Sequence, residues 1–135
     1  MGTAVHLRLV ATVFNTPDPN AIAAFYERLL ELPRLMNEPD WVVLRNDANS
    51  HALSFQRDAT HERPAWPNEP GRQRAAVHLD LVVDDLDAAT AHAEQCGALL
   101  AGVQHNVNAR ERVMIDPDGN PFCLIERTVA PSPAE

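Results

Sequence analysis

A chain of 135 residues with 45% hydrophobic content suffices for one domain, or for two small modules sharing a core. Nineteen acidic against eleven basic residues leave a net charge of −8, a field that repels phosphate backbones and anionic lipid, so nucleic acid and membrane are excluded as expected partners. The apolar runs have strand length, "MGTAVHLRLV" lacks a signal peptide's basic start and cleavage site, and Cys96 and Cys123 are too few for a disulfide scaffold; a cytoplasmic chain with two reduced thiols is expected.

From the N-terminus, "LRLVATVFN" (7–15) reads as a strand. Asp18 then stands where an N-cap belongs, ahead of a helix rich in Ala, Leu and Glu that runs to about residue 30. Strands are predicted near 34–36, at "WVVLRN" (41–46) and at "HALSFQR" (51–57). "DATHERPAWPNEPGRQR" (58–74) is rich in Pro and charge and too irregular for an element. "VHLDLVV" (77–83) opens a second series, in which Asp85 caps a helix that stops at Gly97. Strands follow near 99–105, at "ERVMID" (111–116) and at "PFCLIE" (121–126), with "DPDGN" (116–120) as the turn between the last two. "VAPSPAE" (129–135) reads as a frayed tail.

The order βαβββ is thus written twice. At an offset of 67, Ala11 falls on His78, Asp18 on Asp85, Ala21 on Ala88 and Glu27 on Glu94. At an offset of 69, Asp47 falls on Asp116, Ser54 on Cys123 and Phe55 on Leu124. Because strand residues alternate faces, each strand divides into an apolar side and a more polar one. Leu79, Leu81, Phe122, Leu124, Leu53 and Phe55 belong to the apolar side. The other side collects His78, Asp80, Cys123, Ser54 and Gln56, the residue types that line a small polar pocket.

The doubled order, together with "HLDLVVDDLDAA", "DPDGNPFCLIE" and the linker's "AWP", resembles the vicinal oxygen chelate superfamily, which holds glyoxalase I, bleomycin-resistance proteins and extradiol dioxygenases. The resemblance covers about residues 6–128 and is strongest to the glyoxalase-like domains. It implies an α+β fold and a single glyoxalase-like domain over 1–135. Module one would span about 5–57, the linker 58–74, module two about 75–128 and the tail 129–135. The two modules would form an eight-stranded, cup-shaped mixed sheet with helices on the outer face and the site inside. A homodimer is also implied, with the linker's "PAWPNEP" as the contact.

Metal-using members of the superfamily take ligands from the first and last strand of each module, places that align with Ala11, Ser54, His78 and Cys123. His78 is a typical ligand and Cys123 suits a soft metal as thiolate, but Ala11 offers no donor and a neutral serine hydroxyl is a poor one. A catalytic zinc usually needs three protein ligands, and this set supplies at most two. Glu126, three residues beyond Cys123, points to the opposite face unless a bulge intervenes. Asp80 lies roughly 6–7 Å along the strand from His78, close enough for a shared hydrogen-bond network but displaced as a ligand. The expectation is a site with no metal and no other cofactor.

What remains is a pocket for a small organic ligand, with His78 as acid/base and Asp80 orienting it in a metal-independent lyase or isomerase. Ser54, Gln56, Trp66 and Cys123 would contact the ligand. Cys123 reads as a packed thiol in preference to a nucleophile, and Trp66 as either an aromatic lid or a hydrophobic plug. The alternative is a non-catalytic binder resembling the bleomycin-resistance proteins, with a metal-dependent glyoxalase or dioxygenase as a third reading. His6, His51, His61, His92 and His105 share no spacing with a second donor. Trp41 fits either the core or the rim.

Overall fold

Two aspartates open the two helices. Asp18 is extended (φ −147°), and its side chain accepts from the N–H groups of Asn20 and Ala21 at the start of α1 (Pro19–Leu30). Pro19 fits the first turn, where a missing N–H leaves no helical bond unmade. Asp85 accepts from the Ala88 N–H at the start of α2 (Leu86–Cys96). Gly97 ends that helix at φ 120°, where the Gly97 N–H reaches Glu94 O and the Ala98 N–H reaches Ala93 O. Glu31 ends α1 instead, in a left-handed conformation (φ 54°) that a residue with a Cβ adopts at a cost.

A computed structural model of the chain describes residues 4–47, 49–104 and 110–127. The chain divides into two units, Met1–His61 and Glu62–Glu135. The first holds β1 (Ala11–Thr16), α1, β2 (Arg34–Glu38), β3 (Trp41–Leu44) and β4 (Ala52–Arg57), in the sheet order β1-β4-β3-β2. The second holds β5 (Leu79–Val83), α2, β6 (Leu99–Leu100), β7 (Glu111–Ile115) and β8 (Pro121–Glu126), in the matching order β5-β8-β7-β6. In each unit the first and last strands pair in parallel and the other neighbours antiparallel. The fold is α+β, with βαβββ written twice as expected.

Each sheet buries one face under its own helix. In the first unit Phe14 and Phe55 both stack on Tyr26, whose ring Phe25 meets edge-on, and Ile22, Val42 and Leu44 complete the core. In the second, α2 packs on β6, β7 and β8, burying Leu86, Ala93 and Cys96 with Met114, Phe122 and Leu124. Truncating Phe55 or Phe122 to Ala would cost about 3–5 kcal/mol through lost contact and the cavity left behind. The "DPDGN" turn is organised by Asp116, whose buried carboxylate accepts from the Asp118 and Asn120 N–H groups and from the Asn120 amide.

Three boundaries differ from the sequence reading. β1 starts at Ala11, not residue 7, because its parallel partner β4 starts at Ala52 and the pairs run Ala11↔Ala52 to Thr16↔Arg57. Residues 4–10 lie outside the strand, although Val10 O still accepts from the Ala52 N–H at 2.8 Å, and Val5, Leu7 and Leu9 are exposed. β6 has two residues only, since the Gln104 side chain takes over as partner of β7: its amide nitrogen donates to Ala101 O and Val113 O, and its oxygen accepts from the Val113 N–H. The linker is not featureless either, for Ala65 bridges to Arg74 and its residues from Glu62 onward belong to the second unit. His105 and the tail 129–135 lie outside the described residues. Among the described residues no helix is long and apolar enough to cross a membrane.

Candidate functional site

Which residues of the second sheet face away from α2 is fixed by what its helix side does. The Glu126 carboxylate accepts from the Leu86 N–H in the first turn of α2, so Glu126, Leu124 and Phe122 share the helix side of β8. The expectation that Glu126 points away from Cys123 is met. Cys123 and Ile125 therefore face away from α2. Register places Asp80 beside Cys123 and Val82 beside Ile125 on one flank, with Val113 and Glu111 on the other. His78 immediately precedes β5.

His78 Nε2 stands 3.2 Å from Asp80 Oδ1, and both side chains are about half exposed, at 47% and 57%. Cys123 Sγ joins them, with ligand atoms of the three residues all within 4.8 Å of one another. The register puts Asp80 directly beside Cys123, and His78, just before the strand, reaches the cluster through its contact with Asp80. Burial, reinforced by the Asp80 and Glu111 carboxylates, pushes the Cys123 thiol up to about 11. It is a neutral wall group at physiological pH and a poor nucleophile.

The donor count is corrected from two to three, because Asp80 turns back onto His78. The set still does not fit the metal site that the superfamily implies. It holds one imidazole and no glutamate, and its carboxylate already has the imidazole as partner.

Trp66 packs against Ala101, Val113 and Cys123, and its indole N–H donates to Val103 O at 3.2 Å. That is the plug reading, yet one side of the residue also lines a cavity of about 340 Å³ beside β6. His78, Asp80, Cys123 and Trp66 are thus placed in the second unit. Ser54 and Gln56 share a face with each other in the first, opposite the Phe14–Tyr26–Phe55 stack. Ser54 is buried (2% exposed), and the Gln56 amide donates to Asn15 Oδ1 at 2.6 Å. Trp41, half-buried, pairs in register with Gln56. His51 bonds Thr12 Oγ1, and His92 lies against Cys96 on α2; both thiols are free.

Sequence reasoning missed Glu111, Arg63 and Arg72. Glu111 had a signal, since the alternation of "ERVMI" puts Glu111, Val113 and Ile115 on one face. The linker arginines had none, because an irregular segment has no period to read.

The family model of the glyoxalase-like domain matches residues 11–125. The chain is similar in fold to a glyoxalase/bleomycin resistance protein/dioxygenase family enzyme from Burkholderia phytofirmans PsJN, with 19% identity over 89% of this chain and 98% of that one and a TM-score of 0.65. It is also similar to lactoylglutathione lyase from Agrobacterium tumefaciens, with 18% identity, coverage of 88% and 92% and a TM-score of 0.59. A third is the bleomycin-binding protein from Streptomyces verticillus complexed with copper(II)-bleomycin, with 16% identity, coverage of 93% and 100% and a TM-score of 0.59. At these identities the likeness is one of fold. No curated protein shows a significant match.

Proposed function

The chain belongs to the glyoxalase-like domain family, and from that premise we propose that it binds a small organic ligand on its second unit at the half-exposed His78 and Asp80, which carry out a metal-independent lyase or isomerase step. The observation that carries this is the 3.2 Å contact between His78 Nε2 and Asp80 Oδ1 on an accessible face. A carboxylate that takes the Nε2–H fixes the ring and leaves Nδ1 as the acceptor. Nδ1 then removes a proton from a carbon acid. It returns that proton to a neighbouring carbon in an isomerase, or to a leaving group in a lyase. Cys123 and Trp66 serve as neutral walls. On the corresponding face of the first unit Gln56 is exposed and offers polar groups to a ligand, whereas Ser54 is buried.

Support comes from two fold neighbours, a lactoylglutathione lyase and a bleomycin-binding protein in complex with copper(II)-bleomycin. The non-catalytic alternative is favoured by one observation: a bleomycin-binding protein shares the fold. Ligands recovered by native mass spectrometry separate the two readings. For the enzyme, His78→Ala lowers turnover by about 10²–10⁴-fold with unchanged thermal stability. For the binder, no product forms with either protein and only affinity falls. A ligand that leaves the His78 imidazole NMR signals unmoved would remove His78 from both.

The reading includes a homodimer. Ala65 and Trp66 turn into their own unit, so the proposed contact moves from the linker to the exposed Val5, Leu7 and Leu9. Sedimentation equilibrium should give a dimer at micromolar concentration that Leu7→Asp converts to monomer; a monomeric parent protein counts against it.

A further inference from the structure

Between the linker and the edge strand β6 lies the half-open cavity of about 340 Å³, at the small end of the range for ligand pockets. Trp66, Leu99, Leu100 and Ile115 give it an apolar wall, and Leu99 and Leu100 remain 62% and 48% exposed. Arg63 and Arg72 stand at its rim with a single carboxylate, Glu69. In a chain of net charge −8, this rim has a local excess of positive charge.

Arg63 is held in place by the turn beneath it. Its Nη1 donates to Pro117 O at 2.8 Å. Its stem crosses Gly119 so closely that a Cβ there would lie 2.5 Å from Arg63 Cγ, and Gly119 itself sits at φ +94°. The carbonyl satisfies one of the five guanidinium N–H donors and none of the charge. Arg72 is looser, meeting Glu69 at 3.6 Å with both side chains more than half exposed. A guanidinium anchored beside an indole and two leucines matches the two ends of one kind of molecule. Its planar fork takes a carboxylate in the same plane, and the apolar wall takes a flat ring.

We infer that this cavity is a subsite for a small aromatic carboxylic acid, with Arg63 as the fixed anchor for its carboxylate and Trp66, Leu99 and Leu100 as the wall for its ring. The subsite is separate from the His78 face and goes beyond the reading of that face, since neither His78 nor Asp80 lines the cavity.

The test uses the full chain, with 2-naphthoate as probe and 2-naphthylmethanol as its uncharged analogue. Affinity is measured by calorimetry, and the Trp66 indole N–H signal is followed by NMR. The acid should bind at least tenfold more tightly than the alcohol and shift the Trp66 signal. Arg63→Gln should abolish that preference while leaving alcohol binding unchanged. Arg63→Lys should keep part of it, and Arg57→Gln, in the first unit, should keep all of it. Equal affinity for acid and alcohol, or a preference that survives Arg63→Gln, would overturn the subsite. His78→Ala should leave naphthoate affinity unchanged, so failure of the proton chemistry at His78 and failure of the subsite are read from different variants.

Discussion

At Cys123, chemistry follows from what faces the sulfur. Burial and two carboxylates hold the proton on, so the folded protein keeps it to about pH 11 whereas the ordinary value is 9.0. The sign follows from linkage: a group whose value is raised on folding favours the folded state below the unfolded value, and this contribution is lost as pH rises from 9.0 to about 11. Melting temperature should therefore fall over that window, and less steeply in Cys123→Ala. Iodoacetamide at pH 8, followed by peptide mapping, should label Cys123 far more slowly than in the unfolded chain. At the cluster it forms with His78 and Asp80, a single imidazole already paired with the carboxylate is a poor donor set for a metal. Added zinc should change neither the melting temperature nor the His78 NMR signals; stoichiometric zinc lost in His78→Ala would reverse that conclusion.

Among the elements, α2 depends on two carboxylates at its start. Asp85 accepts from the Ala88 N–H, and Glu126, reaching across from β8, accepts from the Leu86 N–H while pairing with Arg110. The Leu86 hydrogen bond, then Arg110, hold the Glu126 carboxyl below its ordinary 4.5. A depressed value contributes stability above 4.5 and loses it as pH falls through the lowered value. Acid denaturation followed by circular dichroism should accordingly show a smaller loss as pH falls below 4.5 in Glu126→Gln than in the parent. Asp85→Ala should cost about 1 kcal/mol in urea unfolding at neutral pH. The end of α1 offers the reverse case. Glu31 occupies a left-handed position that glycine adopts without strain, so Glu31→Gly should add roughly 0.5–1 kcal/mol. No gain in the urea midpoint would show that neighbouring contacts already offset the strain.

For the molecule as a whole, the net charge of −8 predicts no detectable anisotropy change of labelled duplex DNA at physiological salt. The doubled βαβββ order was legible because each part of it is encoded by near neighbours. Asp18 and Asp85 cap helices through N–H groups two or three residues away, and alternation along "PFCLIE" alone separates Cys123 from Phe122 and Leu124. The same alternation brought His78, Asp80 and Cys123 onto one face. What it could not supply was register. Whether Asp80 or His78 stands beside Cys123 depends on how β5 slides along β8, a choice made by chain segments some forty residues apart. The start of β1 was likewise decided by where β4 begins, and the brevity of β6 by the Gln104 side chain bonding to β7. Arg63 is the extreme case. Nothing within the linker marks it, and its anchor at Pro117 lies 54 residues away. Sequence alone determined the elements and their faces, because caps and periodicity act over a few residues; only the tertiary structure decided which side chains meet, because register and long-range contacts bring together segments that carry no local sign of one another.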